Sequence, residues 1–489
     1  MARALMFQGT ASSVGKSVLT AAFCRIFRQD GWRVAPFKAQ NMALNAAVTP
    51  DGLEIGRAQA LQAQAAGVEP TVYMNPILLK PKADVWSQVV MLGRSVGDRS
   101  WRHYKEEFHA QAQAAVREAY ARLAAEYDLI IAEGAGSPAE VNLQRWDLAN
   151  MATARLAGAD VILVADIDRG GVFASLVGTL ALLPPEDRAR VKGLMINRFR
   201  GDPALFADGV RWLEERTGLP VLGVVPYLQD LGLDEEDSVG LSDSPRGEGD
   251  LDIAVIRLPR IANFNDFDPL VAEPGVAVRY VDRPEALGYP DAVALPGTKN
   301  TVDDLRWLVG RGLAAGIDRL ARAGTPVVGI CGGYQMLGLE LSDPEGIESD
   351  PGRTPGLGLL PLQTHFQPEK RTIRISGTTP SGIPVVGYEI HMGRTVAVGA
   401  MEPLLLLEGG RTDGARVGEV WGTYLHGIFE STAFRRRWLN RLRERRGLSP
   451  LPEEGGVPDP RDAALDRLAT HVRQHVDMVR IRAMMGEKP

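Results

Sequence analysis

The 489-residue sequence predicts an α/β protein: an N-terminal doubly wound domain with a mainly parallel sheet, followed by a second α/β domain. Buried strands separated by helices form parallel sheets. Short apolar runs alternate with helical patterns in the first region, at 5–7, 34–37, 129–132, 161–165, 193–196 and 221–225. A second alternating region has runs at 253–256, 292–295, 327–330 and 420–425.

Changes in pattern along the chain predict the domain boundaries. The region after residue 227 turns acidic and loses its periodicity, as linkers do. We expect a first domain over 1–227, a linker over 228–250, a second domain over 251–447 and a C-terminal tail over 448–489. In the tail, a Pro-rich stretch precedes an amphipathic helix from Arg461 to about Met484, which we expect to pack on a neighbouring element.

Composition excludes several classes of protein. The net charge of −6 argues against nucleic-acid binding by bulk attraction to phosphate. No stretch approaches the roughly 20 apolar residues of a membrane span, and the first residues lack the apolar region of a signal peptide. Only Cys24 and Cys331 occur, so neither a disulfide framework nor a Cys-ligated metal is expected. These features predict a cytoplasmic location and leave the oligomeric state open.

A phosphate-binding loop is predicted at residues 9–17, Gly-Thr-Ala-Ser-Ser-Val-Gly-Lys-Ser, between the first strand and a helix. The loop has one residue more than the plain P-loop pattern, but its backbone amides can still surround phosphate oxygens. The alternative is a Gly/Ser-rich turn before a helix. The predicted ATP contacts are Thr10, Ser13, Gly15, Lys16 and Ser17, with the Ser17 hydroxyl also available to Mg²⁺.

Polar residues end the neighbouring strands, where ligands of parallel sheets bind. Glu133 follows the run 129–132 and is predicted to hold Mg²⁺ opposite Ser17, although it could instead be an acid at a helix N-terminus. Asp166 and Asp168 end the next strand and are rival metal or substrate contacts. Asn197 could hydrogen-bond a nucleotide base or cap the following turn.

A thiol nucleophile is predicted at Cys331, within Gly329-Ile330-Cys331-Gly332-Gly333 after an apolar run. Glycines allow a strained strand-to-helix elbow, and its amides point to where an oxyanion forms. His426 is the predicted base, and backbone amides of Gly297 and Gly332 are the predicted oxyanion donors. The alternative for Cys331 is a buried core cysteine, as Cys24 is expected to be.

One further polar cluster lies in the segment 387–393, beside two glycines. Tyr388, Glu389 and His391 fall within four residues there. The cluster indicates either a strand that lines a binding site or a buried polar group. The sequence leaves those two alternatives open.

These motifs resemble known families. The variant loop resembles the dethiobiotin synthetase branch of P-loop proteins, whereas partition ATPases carry a signature lysine where this chain has Ala11. Gly-x-Cys-x-Gly with a distant His resembles triad-type (class I) glutamine amidotransferase domains. The two together resemble the cobyrinate and cobyric acid synthases of cobalamin biosynthesis. Segments 37–45, 166–171, 197–202 and 422–427 are more similar to the cobyric acid branch.

This resemblance implies a glutaminase domain that supplies ammonia to an ATP- and Mg²⁺-dependent amidating domain. The implied substrate is adenosylcobyrinic acid a,c-diamide, a corrinoid acid amidated at four carboxylates. A polyanionic substrate needs local cations and polar groups. The candidate contacts are Lys38, Gln40, Asn41, Asn45, Arg57, Lys80, Lys82, Asp166 and Asp168.

The chain departs from the amidotransferase pattern in one respect. His-Pro-Glu is usual, but here the acid nearest to His426 is Glu430, two residues too far along. The sequence therefore predicts a Cys331–His426 pair and leaves the orienting acid unassigned. Two alternatives are an amidoligase that acts on another acid, such as the cobyrinate synthase, and a P-loop scaffold ATPase with an inactive amidotransferase-like domain. Ala11 and the intact pair argue against the second.

Overall fold

The computed structural model describes residues 2–83, 85–104, 108–228, 232–233, 245–247, 249–452 and 460–486. Most of the predicted linker therefore lies outside the described residues. Within the described ranges, none of the helices combines the length and the apolar character that a membrane crossing requires.

The first domain is a doubly wound α/β unit. Its strands are β1 (Arg3–Gly9), β2 (Val34–Phe37), β3 (Gln40–Met42), β4 (Ala46–Val48), β5 (Glu54–Gly56), β6 (Ile77–Ala83), β7 (Trp86–Met91), β8 (Arg94–Ser100), β9 (Leu129–Glu133), β10 (Asp160–Asp166), β11 (Val191–Phe199) and β12 (Val221–Pro226). Its helices are α1 (Lys16–Gln29), α2 (Arg57–Ala66), α3 (Trp101–His103), α4 (His109–Glu126), α5 (Met151–Ala157), α6 (Val172–Leu182), α7 (Pro185–Arg188) and α8 (Ala207–Thr217).

The central sheet of this domain has six parallel strands in the order β12-β11-β10-β1-β9-β2. It contains all six strands that the apolar runs predicted, so the parallel, doubly wound prediction is confirmed. The inner strands are apolar except at their ends because helices cover both of their faces. Their carboxyl ends bring residues 8–17, 133–137, 166–171 and 197–202 to one edge.

The second domain has its own sheets. Its strands are β13 (Leu251–Ile256), β14 (Val276–Val281), β15 (Ala292–Leu295), β16 (Val327–Ile330), β17 (Glu340–Asp343), β18 (Gly352–Pro355), β19 (Leu362–Thr378), β20 (Pro384–Ala397), β21 (Leu405–Leu407), β22 (Thr412–Asp413), β23 (Ala415–Val417) and β24 (Val420–Thr423). Its helices are α9 (Asp268–Val271), α10 (Pro284–Leu287), α11 (Thr301–Gly310), α12 (Leu313–Arg322), α13 (Gly332–Met336) and α14 (Thr432–Arg445).

The main sheet of the second domain has the order β14-β13-β15-β16-β24-β23 and is parallel except for β23. The carboxyl ends of β13, β15, β16 and β24 meet at one edge, which collects the loops that follow them. The four strands that the apolar runs predicted all belong to this sheet, which confirms the second α/β region, whereas β14 and β23 were not predicted.

The sequence interpretation missed the smaller sheets. A long antiparallel hairpin, β19–β20, and the four-stranded sheet β3-β6-β7-β8 both lie at the contact between the domains. Their side chains form a small shared apolar cluster, in which Tyr388 and Ile390 pack against Ala43, Ala46 and Leu78. Partly exposed, partly polar strands give a weak periodic signal, which explains why these were missed.

The C-terminal tail returns to the first domain. It forms two helices, α15 (Pro460–His475) and α16 (Met478–Met485), rather than the single helix predicted. The break occurs because Val476 pairs with Gly223 on edge strand β12, and the Asp477 amide donates to Leu222. The tail therefore covers an exposed sheet edge and buries Leu465 and Leu468 in the same apolar cluster as Phe27.

We expect Leu465→Ala to destabilise the first domain by about 2–5 kcal/mol, because it removes a fully buried side chain and leaves a cavity. Urea unfolding followed by circular dichroism measures this change. The exposed tail variant Arg480→Ala is the control and should change the free energy of unfolding by less than about 0.5 kcal/mol. Equal, small effects in both variants would show that the tail is not part of the core.

Candidate active site

The phosphate-binding loop joins β1 to α1. Ser13 and Gly15 have φ of 57° and 93°, which turns successive backbone amides toward one concave side. The Lys16 ammonium donates to the carbonyl oxygens of Ala11 (2.9 Å) and Gly136 (3.1 Å), so it lies across the mouth of this loop. Thr10, Ser13, Gly15, Lys16 and Ser17 are thus brought together, in a form suited to binding an anion.

Asn197 supports the loop from the neighbouring strand β11. Its side-chain nitrogen donates to the Val14 carbonyl at 2.9 Å. A β-carbon at Gly15 would lie 2.1 Å from that nitrogen, so only glycine permits the approach. The Asn197 amide is therefore engaged with the loop itself.

Glu133 ends β9, and its side chain is fully buried. One carboxylate oxygen accepts from the Ser17 hydroxyl (2.7 Å) and from the Lys38 ammonium (2.8 Å). The other accepts from Gln62 of α2 at 2.7 Å. These contacts compensate a charge that has no access to water.

Ser17 and Glu133 fit the donor set for Mg²⁺, because both offer hard oxygen atoms beside the phosphate loop. Among the described residues there is no cluster of three or more His, Cys, Asp or Glu side chains arranged to hold a metal. A cation here would therefore share its coordination with phosphate oxygens and water.

Asp166 and Asp168 lie at the same edge and already have cationic partners. Asp166 pairs with Arg198 at 3.0 Å, and its other oxygen accepts from the Asp168 amide at 2.8 Å. Asp168 pairs with Arg200 at 2.9 Å. These arginines add positive charge to the edge at which the loop 9–17 lies.

Cys331 sits at the turn between β16 and α13, with φ of 52° and ψ of −109°. A non-glycine residue in this conformation is strained, as expected for a nucleophile elbow. The residue is 6% exposed. A β-carbon at Gly332 would lie 2.7 Å from Thr298 and one at Gly333 2.0 Å from the Leu295 carbonyl, so both glycines are required by close packing.

His426 approaches Cys331 from the loop after β24. Gly297 lies in the loop after β15, and a β-carbon there would lie 3.1 Å from His426 Cε1 and 3.8 Å from Cys331 Cβ, so Gly297 is close to both side chains. The ring nitrogen Nδ1 of His426 is 2.7 Å from the Asp266 carboxylate. Asp266 also accepts from the Gly427 amide at 2.8 Å.

Asp266 thus occupies the place of the orienting acid that the sequence left unassigned. It comes from the segment after β13, which ends at the same sheet edge. Glu430 instead pairs with Arg461. Burial lowers the pKa of His426, but the charge of Asp266 and the contact with Cys331 outweigh it and raise the pKa to about 10. The geometry therefore favours an imidazolium beside Cys331.

A pocket opens over these residues. Cys331, His426, Gly297 and Gly332 line it together with groups that the sequence interpretation did not single out: Lys299, Gln335, Glu348 and Lys370. Lys80 also lines it, from β6 of the first domain. The pocket is therefore built by both domains.

The segment 387–393 forms part of β20, and its residues Ile390, His391 and Met392 line this pocket. Tyr388 stacks on His426, with ring centroids 5.2 Å apart, and His391 stacks on Tyr424 at 3.7 Å. Glu389 pairs with Arg371 and with His391. The segment is thus a strand beside the pocket whose polar side chains pair with their neighbours.

The candidate substrate contacts divide between two places. Lys38 lies at the phosphate edge with Asp166 and Asp168, as described above. The remaining candidates lie toward the domain contact: Gln40 accepts from Tyr104, Asn41 donates to Gln59, Asn45 accepts from the Asn263 amide, Arg57 faces Asn265, Lys80 pairs with Glu54, and Lys82 pairs with Asp98 and donates to Ile347.

Two lysines that line the pocket, Lys80 and Lys370, pair with the same acid, Glu54. Glu54 accepts from Lys80 (2.8 Å) and from Lys370 (2.5 Å). Burial raises the pKa of Glu54, but the two ammonium groups outweigh it and lower the pKa to about 2. Burial lowers the pKa of Lys370 to about 8 although Glu54 opposes the shift. Two lysines and one acid leave net positive charge at the pocket.

The sequence interpretation missed Asp266, Asn263 and Gln62 because nothing local marks them as functional. For Asp266 alone, its position after a predicted strand could have been used as a signal. It lies in Asn263-Phe264-Asn265-Asp266-Phe267, which follows the predicted strand 253–256 and so reaches the ligand-binding edge of the second sheet.

The sequence matches two known domain families. Residues 5–239 match the CobQ/CobB/MinD/ParA nucleotide binding domain, and residues 252–434 match the CobB/CobQ-like glutamine amidotransferase domain.

Relatives match the chain over nearly its whole length. The chain is 54% identical to the cobyric acid synthase of Pelotomaculum thermopropionicum, over 99% of this chain and 97% of that protein. It is 51% identical to the cobyric acid synthase of Moorella thermoacetica (100% and 98% covered) and 52% identical to that of Geobacillus kaustophilus (100% and 99%).

We expect Asp266→Asn to slow alkylation of Cys331 by iodoacetamide at pH 7 by about tenfold. The amide removes the charge that raises the pKa of His426, so the pH at which His426 loses its proton moves down from about 10 and the thiolate is less populated. Mass spectrometry measures the rate. Cys24 does not compete, because it is fully buried and burial raises its pKa. An unchanged rate would show that Asp266 does not support the pair.

Proposed function

This chain belongs to the cobyric acid synthase family, and from that premise we propose that its two sites perform the two halves of one amidation. The enzyme is a carbon–nitrogen ligase that uses ATP and glutamine to amidate adenosylcobyrinic acid a,c-diamide at four carboxylates in cobalamin biosynthesis. The observation that carries the division of labour is the Cys331–His426–Asp266 constellation in a pocket that also contains Lys80 of the nucleotide-binding domain.

The first domain activates the carboxylate. A carboxylate does not react with ammonia, so its oxygen attacks the γ-phosphorus of ATP, giving an acyl phosphate and ADP. Lys16 and the loop amides stabilise the charge on the transferring phosphoryl group. Ammonia then attacks the acyl carbon, phosphate leaves, and the amide remains. The arginine partners of Asp166 and Asp168 are suited to attract the polyanionic substrate to this edge.

Mg²⁺, when bound, neutralises the phosphate oxygens and orients the phosphoryl group for transfer. Ser17 and Glu133 would hold it. Lys38 pairs with the same Glu133 oxygen that accepts from Ser17, so it fixes the carboxylate beside that hydroxyl.

The second domain supplies the ammonia. Cys331 attacks the side-chain amide carbon of glutamine, and backbone amides at Gly297 and Gly332 stabilise the oxyanion. His426 donates its Nε2 proton to the leaving nitrogen, so ammonia departs and a thioester forms. Water, deprotonated by His426, then hydrolyses the thioester to glutamate. Asp266 holds Nδ1 and stabilises the imidazolium in both steps.

Lys299 and Glu348 suit the α-carboxylate and α-ammonium groups of glutamine. Both line the pocket with Cys331. Burial lowers the pKa of Lys299 and raises the pKa of Glu348. A zwitterionic ligand offers each of them an opposite charge. Both cysteines are free thiols, which suits the reducing cytoplasm that we propose as the location of the enzyme.

The test of this function is a time course of adenosylcobyrinic acid a,c-diamide with enzyme, ATP, Mg²⁺ and glutamine, followed by mass spectrometry. We expect four successive amidations, each consuming one ATP and one glutamine. One active site must release or rotate the substrate between rounds, so partly amidated corrinoids should accumulate in solution.

Two results would contradict this function. Amidation of two carboxylates of unamidated cobyrinic acid, with no further reaction, would assign the chain to the sister synthase. Absence of reaction with any corrinoid acid would exclude the corrinoid substrate class.

We expect nitrogen-donor exchange to separate the two sites. Cys331→Ala should abolish glutamine-dependent amidation and retain the rate with ammonium chloride, because only the ammonia source is lost. Lys16→Ala should abolish amidation with both donors, because phosphoryl transfer is lost. Amide formation by mass spectrometry at saturating ATP is the measurement.

Each variant has a matched control in the chain. Cys24→Ala, in the core of the first domain, and Lys192→Ala, on its surface, should retain activity with both donors. Equal loss with both donors in Cys331→Ala would contradict the two-site division. Wild-type rates in Lys16→Ala would remove the loop from the ATP site.

A further inference from the structure

A group of hydrogen-bond donors lies beside the phosphate edge, in and around the loop that follows β9. Gln144–Trp146 form a short 3-10 turn there. The ring of His109, at the start of α4, meets the Trp146 ring at right angles with centroids 5.3 Å apart. The Arg145 guanidinium carbon lies 5.2 Å from the centroid of the same indole. We call His109, Gln144 and Arg145 the donor cluster.

Two members of the donor cluster are neutral groups whose N–H has no acceptor. Among the described residues, the side-chain nitrogen of Gln144 and Nδ1 of His109 are buried without a hydrogen-bond partner. Gln113 places its amide nitrogen 3.0 Å from His109 Nε2. An amide nitrogen only donates, so Nε2 accepts and Nδ1 carries the ring proton. Burial lowers the pKa of His109, although the charge of Asp147 opposes the shift, so a neutral ring is favoured.

Arg145 adds a cation to these neutral donors. Its side chain is exposed, and within the described part of the chain its guanidinium forms neither an ion pair nor a hydrogen bond. The next acid in the sequence, Asp147, is already engaged, because its oxygens accept from the amides of Ala149 (3.0 Å), Asn150 (2.8 Å) and Ala152 (2.8 Å). The donor cluster therefore offers N–H groups and a positive charge to an external acceptor.

The segment 135–150 connects the donor cluster to the phosphate-binding loop. Asp147 accepts from the Asn150 amide, and the Asn150 side chain donates to the Ala135 carbonyl at 2.7 Å. The next carbonyl, that of Gly136, accepts from Lys16 at 3.1 Å. A ligand bound at the donor cluster therefore lies near the loop at which we propose phosphoryl transfer.

The donor cluster is also connected to Gln40, one of the substrate contacts that the sequence predicts. The Tyr104 hydroxyl donates to the Gln40 side-chain oxygen, and the Tyr104 ring packs on Phe108 with centroids 5.5 Å apart. Phe108 directly precedes His109. Packed aromatic rings thus join the donor cluster to the strand that carries Gln40.

The chemistry of the donor cluster selects an acceptor with negative charge. N–H groups and a guanidinium bind carboxylate oxygens through charge-assisted hydrogen bonds. The same loop offers apolar surface, because Val141 is 59% exposed and the Trp146 indole is partly exposed. A corrinoid acid combines these two properties, since it has an apolar ring system with carboxylates and amides at its rim.

We propose that the donor cluster is a holding site for one rim carboxylate or amide of the corrinoid acid, while another carboxylate lies at the γ-phosphate of ATP. The inference rests on the proposed function. Gln144 and His109 donate to a carbonyl oxygen, so they bind a rim group both before and after its amidation. Arg145 favours a carboxylate, because it adds a charge-assisted bond. The contribution of Arg145 therefore falls as the substrate loses carboxylates.

The test measures the KM for adenosylcobyrinic acid a,c-diamide with ammonium chloride as nitrogen donor, so that the thiol site is not required. We expect Arg145→Ala and Gln144→Glu to raise this KM by about tenfold, the first by loss of a charge-assisted bond and the second by repulsion of a carboxylate. Arg145→Lys should recover most of the affinity, because it keeps the charge. The kcat, the KM for ATP and the rate of glutamate release from glutamine alone should stay at wild-type values.

Arg188→Ala is the matched control. It removes another exposed arginine, from α7, which precedes β11 and so lies at the opposite edge of the sheet. This variant should keep the wild-type KM for the diamide.

Partly amidated corrinoids isolated from the time course give a second readout. The ratio of the KM in Arg145→Ala to the KM in wild type should fall from the diamide to the later intermediates, because fewer carboxylates remain to pair with Arg145. A ratio that stays constant across the intermediates would contradict the preference of Arg145 for carboxylates.

Wild-type KM values for the diamide in both Arg145→Ala and Gln144→Glu would overturn the holding site. An equal rise in the KM for ATP would also overturn it, because the nucleotide would then be the ligand. An equal rise in Arg188→Ala would show only bulk attraction between charges. Failure of the proposed function has a different signature, since the wild-type enzyme would then form no amide from any corrinoid acid.

Discussion

The buried charge of Glu133 is the constraint around which the phosphate edge is arranged. A carboxylate without access to water is tolerated only when its oxygens are hydrogen-bonded and its charge is balanced. Ser17, Lys38 and Gln62 meet that requirement, and they come from α1, the end of β2 and α2. The Glu133 carboxylate therefore determines how α1, the end of β2 and α2 meet. A cation that binds the Glu133 oxygens would compete with these contacts.

In the second domain, the buried carboxylate of Asp266 is balanced by His426. His426 and Asp266 are 1% and 3% exposed, and each compensates the other. Because Asp266 raises the pKa of His426 against the effect of burial, the imidazolium persists beside Cys331. The domain contact lies directly behind this pair, because Asn263, whose side-chain nitrogen is 3.3 Å from His426 Nε2, is hydrogen-bonded to Asn45 and Ala46.

Prediction from sequence succeeded where the structural requirement is local. The phosphate loop needs a glycine at position 15 because Asn197 leaves no room for a β-carbon, and the elbow needs glycines at 332 and 333 for the same kind of reason. The parallel strands were predicted because full burial gives continuous apolar runs. Asp266 escaped prediction because 160 residues separate it from His426, and an acid in a loop has no periodicity to reveal it.

The sequence by itself therefore determined the α/β class, the six strands of the first main sheet, four strands of the second, the two chemical motifs and the family. Each depends on residue types within a few positions of one another. Only the tertiary structure decided that Asp266 orients His426, that Lys80 and Asn45 lie at the domain contact, and that the tail covers strand β12. These arrangements depend on distances between elements far apart in the chain, which packing and the pairing of buried polar groups set.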